Sequence, residues 1–286
     1  PGASGLNWSL EPTVSRQKNA QSGKFVGGLR VQDAMIYEII RMNQWKKPIY
    51  FAVTVSPSNQ IGLSEYLRMD GQAYQLMPYK VGLNIDEDVM YDKIIDTYRY
   101  TNINNPDVYY PQNVQRLLQN YRKGFLQLVY EYGFNDEESR QKSLHILHKM
   151  DELVPDETIP ITYMDLYLQI AQMYYELKDE TSSRKYMENA LSRGREDLPV
   201  LEQVKVASVW NDLFDETELA LEILLPLSME APMNAQIVYE VARAYVKTEN
   251  VEEGEIWVNR LSTLAPTARE TRTLQGMIQE LKAKDS

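Results

Sequence analysis

Residues of matching size and type recur 34 positions apart along the C-terminal half of this 286-residue chain. Pro232 and Pro266 are so spaced, as are Ala220 and Gly254, Ser208 and Ala242, Ala207 and Val241, and Leu224 and Val258. No other feature constrains the fold as much. A unit of about 34 residues holds two helices and cannot bury its apolar face alone, so neighbouring units must stack.

The spacing and residue types are those of tetratricopeptide repeats. Small residues at the eighth and twentieth positions let two antiparallel helices approach closely, and a Pro at position 32 closes the second helix. The copies are 201–234 and 235–268; a third, 164–197, precedes them after a three-residue insertion and supplies Tyr167, Ala171, Tyr174, Ser183 and Ala190. In copy 201–234, Asn211 stands where an aromatic residue is expected. An irregular helical bundle is the alternative, and it would have to produce all these spacings by coincidence. Upstream, Gln112–Tyr132 and Asp136–Leu153 read as a helical hairpin, broken at Gly133, that suits an N-terminal cap. Downstream, Leu274, Met277, Ile278 and Leu281 repeat at helical spacing, which predicts a capping helix over 270–283.

Charge divides the chain. Residues 1–110 carry 11 bases and 11 acids, whereas 111–286 carry the whole net charge of −11. Two units are therefore expected, a small α/β unit over 1–110 and the repeats over 111–286, with turn-rich 101–107 near the boundary. Residues 1–28 read as an extended lead-in. Val31, Met35, Ile39 and Met42 form one apolar line, with Ile36 and Ile40 beside it, which is helical spacing. Lys47–Val55 reads as a strand apolar on both faces, hence a central one beneath helices. A short helix is expected over Leu63–Met69, a second strand over Ala73–Met77 and a helix over Asp86–Tyr98. The fold class is thus mostly α, a small α/β unit followed by a tetratricopeptide-like solenoid.

Composition excludes much chemistry. With no Cys there is no thiol catalysis, disulfide or thiolate metal site, and two His leave little for His-based sites. The acidic balance argues against nucleic acid, which is held by Lys and Arg. The strongest apolar run, Ile49–Val55, is far shorter than the roughly 20 residues that span a bilayer. His145 and His148 share a helix with Glu152, but the spacing reads as a surface or packed pair, not a metal site. Asp86-Glu87-Asp88 lacks calcium-loop spacing, Gly23-Lys24 lacks the rest of a phosphate loop, and Asn7-Trp8-Ser9 is a lone glycosylation sequon. No nucleophile–His–acid set is present, and no cofactor or metal is expected.

The repeats offer a surface instead. First-helix positions 2, 5, 9 and 12 line the concave groove of such repeats. Here they are Asp165, Leu168, Gln172 and Tyr175, then Lys205, Val209 and Asp212, then Gln236, Tyr239 and Arg243. This mixture of aromatic, apolar and charged groups suits a peptide or protein, although Val209 stands where a carboxylate-clamp repeat has Asn. The groove packing against the first unit or a neighbouring domain is the alternative. Ser56, Ser58 and Asn59 follow the expected strand and form a ligand-loop candidate, because ligands gather at strand ends in α/β sheets. A plain turn is the alternative there.

One further stretch has a specific look. It runs Leu29-Arg-Val-Gln-Asp-Ala-Met-Ile-Tyr-Glu-Ile-Ile40, Asn43-Gln-Trp-Lys-Lys-Pro-Ile-Tyr-Phe-Ala52, Gly62-Leu63, Tyr66-Leu67 and Asp70-Gly-Gln-Ala-Tyr-Gln-Leu-Met-Pro78. It resembles the region after the last membrane helix in the bacterial protein O-mannosyltransferase-like family, large membrane proteins of the GT-C glycosyltransferase fold. The family pattern is roughly Trp-Lys-Arg-Pro-Ile-Tyr-Phe-Ala, then Gly-Leu, then Glu-Gly-Leu-Ala-Tyr-Arg-Leu-Val-Pro. The departures of this chain include Lys47 for the Arg, Asp70 for the Glu and Gln72 for the Leu. The resemblance covers residues 29–79, and helical repeats also follow in such proteins. It implies a parent enzyme moving a sugar from a lipid-linked donor to an extracytoplasmic acceptor, with its catalytic acid between early membrane helices outside this sequence. No catalytic residue carries over.

The chain starts at Pro1, which with the resemblance leads us to expect the soluble, extracytoplasmic end of a longer membrane protein. The expected function is an accessory domain that binds acceptor protein or partners, touching the membrane only through helices outside this sequence. A free-standing tetratricopeptide scaffold is the rival. A third reading, an independent enzyme acting through carboxylates on the α/β unit, requires convergent acids that the sequence does not display.

Overall fold

The computed structural model describes residues 8, 10, 14–18, 25–81, 85–192 and 198–284. Gly23-Lys24, together with Asn7 and Ser9 of the sequon, lies outside them. The protein is mostly helical, with a small N-terminal antiparallel sheet followed by helices packed neighbour to neighbour as a helical solenoid. It divides into two compact units, residues 1–160 and 161–286. The hairpin over 112–153 groups with the first unit, and the turn-rich stretch 101–107 lies inside that unit.

In the first unit the lead-in is paired, with β1 (Val14–Lys18) antiparallel to β2 (Phe25–Gly28). Helix α1 (Val31–Asn43) follows; Arg30 holds Asp33 through two bonds of 2.7 and 3.0 Å in its first turn. It stops because Gln44 and Trp45 both take left-handed conformations. Its apolar line turns the other way from the core. Ile36 and Ile40 pack on the cluster of Phe51, Ile61, Leu63, Tyr66, Leu67 and Leu76, while Val31, Met35, Ile39 and Met42 are exposed. Spacing alone identifies a helix; it does not say which of two apolar faces finds a partner.

The Lys47–Val55 segment is not a central strand. Only Tyr50–Ala52 forms β3, at the edge of a three-stranded antiparallel sheet of order β3–β5–β4, where β4 is Leu67–Met69 and β5 is Ala73–Leu76. Phe51 alone points into the core, with Tyr50 and Ala52 exposed. Pro48, which donates no backbone hydrogen bond, suits an edge. The expected helix over 63–69 is one 3₁₀ turn, Ser64–Tyr66, running straight into β4. The expected second strand is the middle one, β5, pairing Tyr50 with Gln75 and Met69 with Tyr74.

Helix α2 (Glu87–Tyr91) is capped by Asp86, whose side chain accepts from the Val89 N–H at 3.1 Å, and it continues as a π-helical turn over Asp92–Thr97. Helices α3 (Gln112–Tyr132) and α4 (Glu137–Leu153) form the hairpin broken at Gly133. Gln72 donates to the Asn120 carbonyl at 2.9 Å, Tyr98 and Tyr100 meet Tyr121 edge to face, and Tyr100 packs at a tilt on Phe125, which ties α3 to the sheet and the π-turn.

Among its described residues the second unit has three helix pairs and a cap. They are α5 (Met164–Glu176) with α6 (Glu180–Ser192), α7 (Val200–Leu213) with α8 (Thr217–Glu230), and α9 (Ala235–Lys247) with α10 (Val251–Leu264), followed by α11 (Arg269–Lys284). One such pair falls within or against each of the segments 164–197, 201–234 and 235–268. The small-residue positions touch: Ser183 Oγ donates to the Ala171 carbonyl at 2.6 Å, and a Cβ on Gly254 would sit 2.8 Å from Ile278 of α11. Val238, Val246, Val258, Leu261, Leu274 and Ile278 close the last pair against the cap.

The turn inside each pair holds one residue at positive φ: Lys178 (67°), Asp215 (59°) and Glu249 (56°), all at repeat position 15. A left-handed conformation costs a side-chain-bearing residue roughly 1–2 kcal/mol, which glycine avoids at some cost in unfolded-chain entropy. Glu249→Gly is therefore expected to stabilise the protein by about 0.5–1 kcal/mol, read from the urea midpoint. A lower midpoint would show that the turn gains more from Glu249 than its backbone strain costs.

Candidate functional site

Successive first helices α5, α7 and α9 present one face side by side, because each copy repeats the same helical register. Leu168 and Gln172 from α5, with Lys205 and Val209 from α7, line a cleft of about 380 Å³. Asp165, Ser208, Gln236 and Glu240 complete its wall. Leu168 and Val209 are half-buried and give it an apolar floor, while Gln172 and Lys205 are exposed at its edge.

The charges of this face are cross-linked from copy to copy. Lys205 Nζ meets Asp165 at 2.6 Å, joining the first pair to the second. Arg243 joins the second to the third, meeting Asp212 at 2.5 Å, Ser208 Oγ at 2.9 Å and Glu240 at 2.5 Å. The Arg243 guanidinium also lies 5.9 Å from the centre of the Tyr239 ring. Asp212, Tyr239 and Arg243 thus form one cluster beside the cleft. The Tyr175 ring packs edge-on against Phe214 at 5.7 Å and is not part of the cleft lining. Arg243 also borders a second cleft of about 360 Å³, with Asn211, Lys247, Leu274, Met277 and Leu281. No groove position of the repeats points to that cleft; the apolar period of the capping helix, through Leu274, Met277 and Leu281, marks one of its walls.

Burial acts on this cluster. It raises the Glu240 carboxyl above its ordinary 4.5, and the Arg243 hydrogen bond offsets this only in part. Burial also disfavours the Arg243 charge, but the bonds from Asp212 and Glu240 more than restore it. A carboxyl whose folded pKa is raised contributes stability that is full below its unfolded value and lost as pH rises through the folded value. Stability is thus expected to fall as pH rises from 4.5 through Glu240's raised value. Glu240→Gln is expected to unfold at an equal or higher urea concentration than the parent at pH 7, the difference shrinking as pH falls toward 4.5. A variant clearly weaker at pH 7 would mean that the Arg243 bond outweighs desolvation.

The structure gives the loop candidates a local role. Pro57–Asn59 is a single 3₁₀ turn. The Ser56 and Ser58 hydroxyls bond each other at 3.0 Å, the Ser58 carbonyl accepts from Arg30 at 2.9 Å, and the Asn59 N–H donates to the Ser56 carbonyl at 2.8 Å. Among the described residues no three His, Asp or Glu converge to hold a metal, and no helix is long and apolar enough to cross a membrane. Glu87, Asp88, Asp92 and Asp96 border a cleft of about 650 Å³ in the first unit, with Tyr91, Tyr132, Lys142 and His145.

Residues 23–96 match the family model of TMEM260-associated domain 2. The matched segment runs from β2 through α1 and the sheet to the π-turn, and it contains the stretch 29–79 on which the family resemblance rests. No curated protein matches the chain.

Proposed function

We propose that this chain is an accessory portion of a membrane-bound, protein O-mannosyltransferase-like glycosyltransferase, without catalytic activity of its own. It works at the extracytoplasmic face, where its helical repeats receive the acceptor protein or another polypeptide partner. The match of residues 23–96 to TMEM260-associated domain 2 carries this reading, because it coincides with the Trp45–Ala52 and Asp70–Pro78 segments that resemble the glycosyltransferase family. The cleft floored by Leu168 and Val209 supports a polypeptide ligand, since half-exposed apolar groups ringed by paired charges suit an extended peptide.

Two measurements test it. An antibody raised against this chain is expected to detect, in cells that make it, a polypeptide much larger than 33.2 kDa that stays with membranes through alkaline extraction. A soluble product of about the chain's own mass would sink the glycosyltransferase reading and leave a free tetratricopeptide scaffold. For the groove, Val209→Glu and Tyr239→Ala are each expected to weaken capture of polypeptide by about tenfold, the loss of one apolar anchor. Capture unchanged in both variants would remove the groove as the binding site under either reading.

A further inference from the structure

Helix α1 is apolar on two opposite faces, and one of them has no partner among the described residues. At about 100° per residue, Val31, Met42, Met35 and Ile39 fall within an arc of roughly 80°, opposite the side that Asp33, Ile36 and Ile40 turn inward. Their exposures are 76%, 70%, 60% and 56%. Lone exposed apolar residues need no explanation, but a continuous stripe along three turns of one helix does. Trp45, 40% exposed, stands just past its end.

The charge around the stripe says what covers it. Residues 29–50 hold four cations and two carboxylates, in a chain whose net charge is −11. Both carboxylates are engaged within the helix, Asp33 by Arg30 and Glu38 by Arg41. Lys46 and Lys47, exposed beyond the C-terminal end of the stripe, have no ion pair among the described residues. An apolar helix face, a Trp at its end and surplus Lys beside it are the features of a helix lying in the plane of a lipid interface, its apolar groups among the acyl chains and its cations on anionic headgroups.

We propose that the outer face of α1, with Trp45, Lys46 and Lys47, is a docking surface for an anionic lipid bilayer. The first unit rests on the membrane through it without crossing. The assignment does not rest on the glycosyltransferase reading, because it concerns what this chain does by itself.

The test is flotation of the 286-residue chain with vesicles of phosphatidylcholine containing phosphatidylglycerol. The wild-type chain is expected to float with these vesicles, less so with pure phosphatidylcholine or in high salt. Met35→Glu with Ile39→Glu is expected to lower the partition coefficient on the order of tenfold or more while leaving the urea midpoint unchanged, since both side chains are already exposed. Lys46→Glu with Lys47→Glu is expected to weaken binding, whereas Ile256→Glu, an exposed apolar control in the second unit, leaves it unchanged. Brominated lipid is expected to quench wild-type fluorescence, and most of the quenching is expected to vanish in Trp45→Phe; this holds even if the charged variants fold poorly. Failure of the wild-type chain to float, flotation undiminished by Met35→Glu with Ile39→Glu, or a stripe-dependent dimer formed without lipid would each overturn the proposal.

Discussion

Gly71→Ala is expected to destabilise the first unit by about 3 kcal/mol or more, a large part of the roughly 5–15 kcal/mol that holds a domain folded. Gly71 turns the chain from β4 into β5 at a φ of +74°. That conformation alone costs an alanine roughly 1–2 kcal/mol. The new Cβ would also stand 2.2 Å from the Tyr98 hydroxyl oxygen, 2.9 Å from its ring carbon and 3.2 Å from Lys93 Cβ. Tyr98 cannot yield freely, because its hydroxyl accepts from the Gln72 N–H at 2.8 Å. Displacing it leaves that N–H without its partner, at roughly 1–3 kcal/mol if the group stays dry. Urea unfolding measures the sum. Tyr98→Phe separates the parts: it is expected to cost about 1 kcal/mol alone and to reduce the penalty of Gly71→Ala, since the closest atom is gone. A Gly71→Ala protein as stable as its parent would show that the turn can relax away from the π-turn.

The helix pairs were legible because their packing imposes residue size at fixed intervals. Ala171 against Ser183, and Gly254 against Ile278, leave no room for larger side chains, so the 34-residue period survives in composition. Position 15 was illegible for the opposite reason. Lys178 and Glu249 are not residue types that favour a left-handed turn, and Asp215 favours it only mildly, yet all three adopt it between packed helices. Asn211 shows how an irregular copy keeps the fold: it is buried where an aromatic was expected, its side-chain oxygen accepting from Thr217 at 2.8 Å, with Trp210 and Phe214 filling the space alongside. In the first unit, apolar runs misled. The segment 47–55 reads as doubly buried, but its apolar residues reach the core sideways from a three-residue edge strand. In the groove, helical register places Leu168, Gln172, Lys205 and Val209 along one cleft. The ion pairs that cross-link it join residues 31 to 40 positions apart, a relation no local pattern encodes.

The second large effect is expected at Arg122, a fully buried cation on α3. Its guanidinium donates to Gln119 Oε1 at 2.7 Å, to the Val154 carbonyl at 2.9 Å and to the Ile159 carbonyl. Gln119 in turn donates to the Pro160 carbonyl at 2.9 Å. The Val154, Ile159 and Pro160 carbonyls belong to the segment that leaves α4, where no further helical turn satisfies them. Arg122 supplies their hydrogen bonds from inside the core, where water is absent. Arg122→Met keeps much of the volume and removes every donor, so several buried oxygens lose their partners together. The expected loss is about 3–5 kcal/mol, the range for breaking a buried charged network from one side. Arg122→Lys is expected to recover only a minor part, because an ammonium cannot reach two carbonyls and an amide oxygen in the planar fork they require. Gln119→Leu, which removes one bridge and keeps the cation, is expected to cost about 1–2 kcal/mol. The order Met, then Lys, then the Gln119 variant distinguishes a hydrogen-bonding role from one of volume. If packing alone mattered, Arg122→Met would be the mildest of the three, and urea midpoints for the set decide between them.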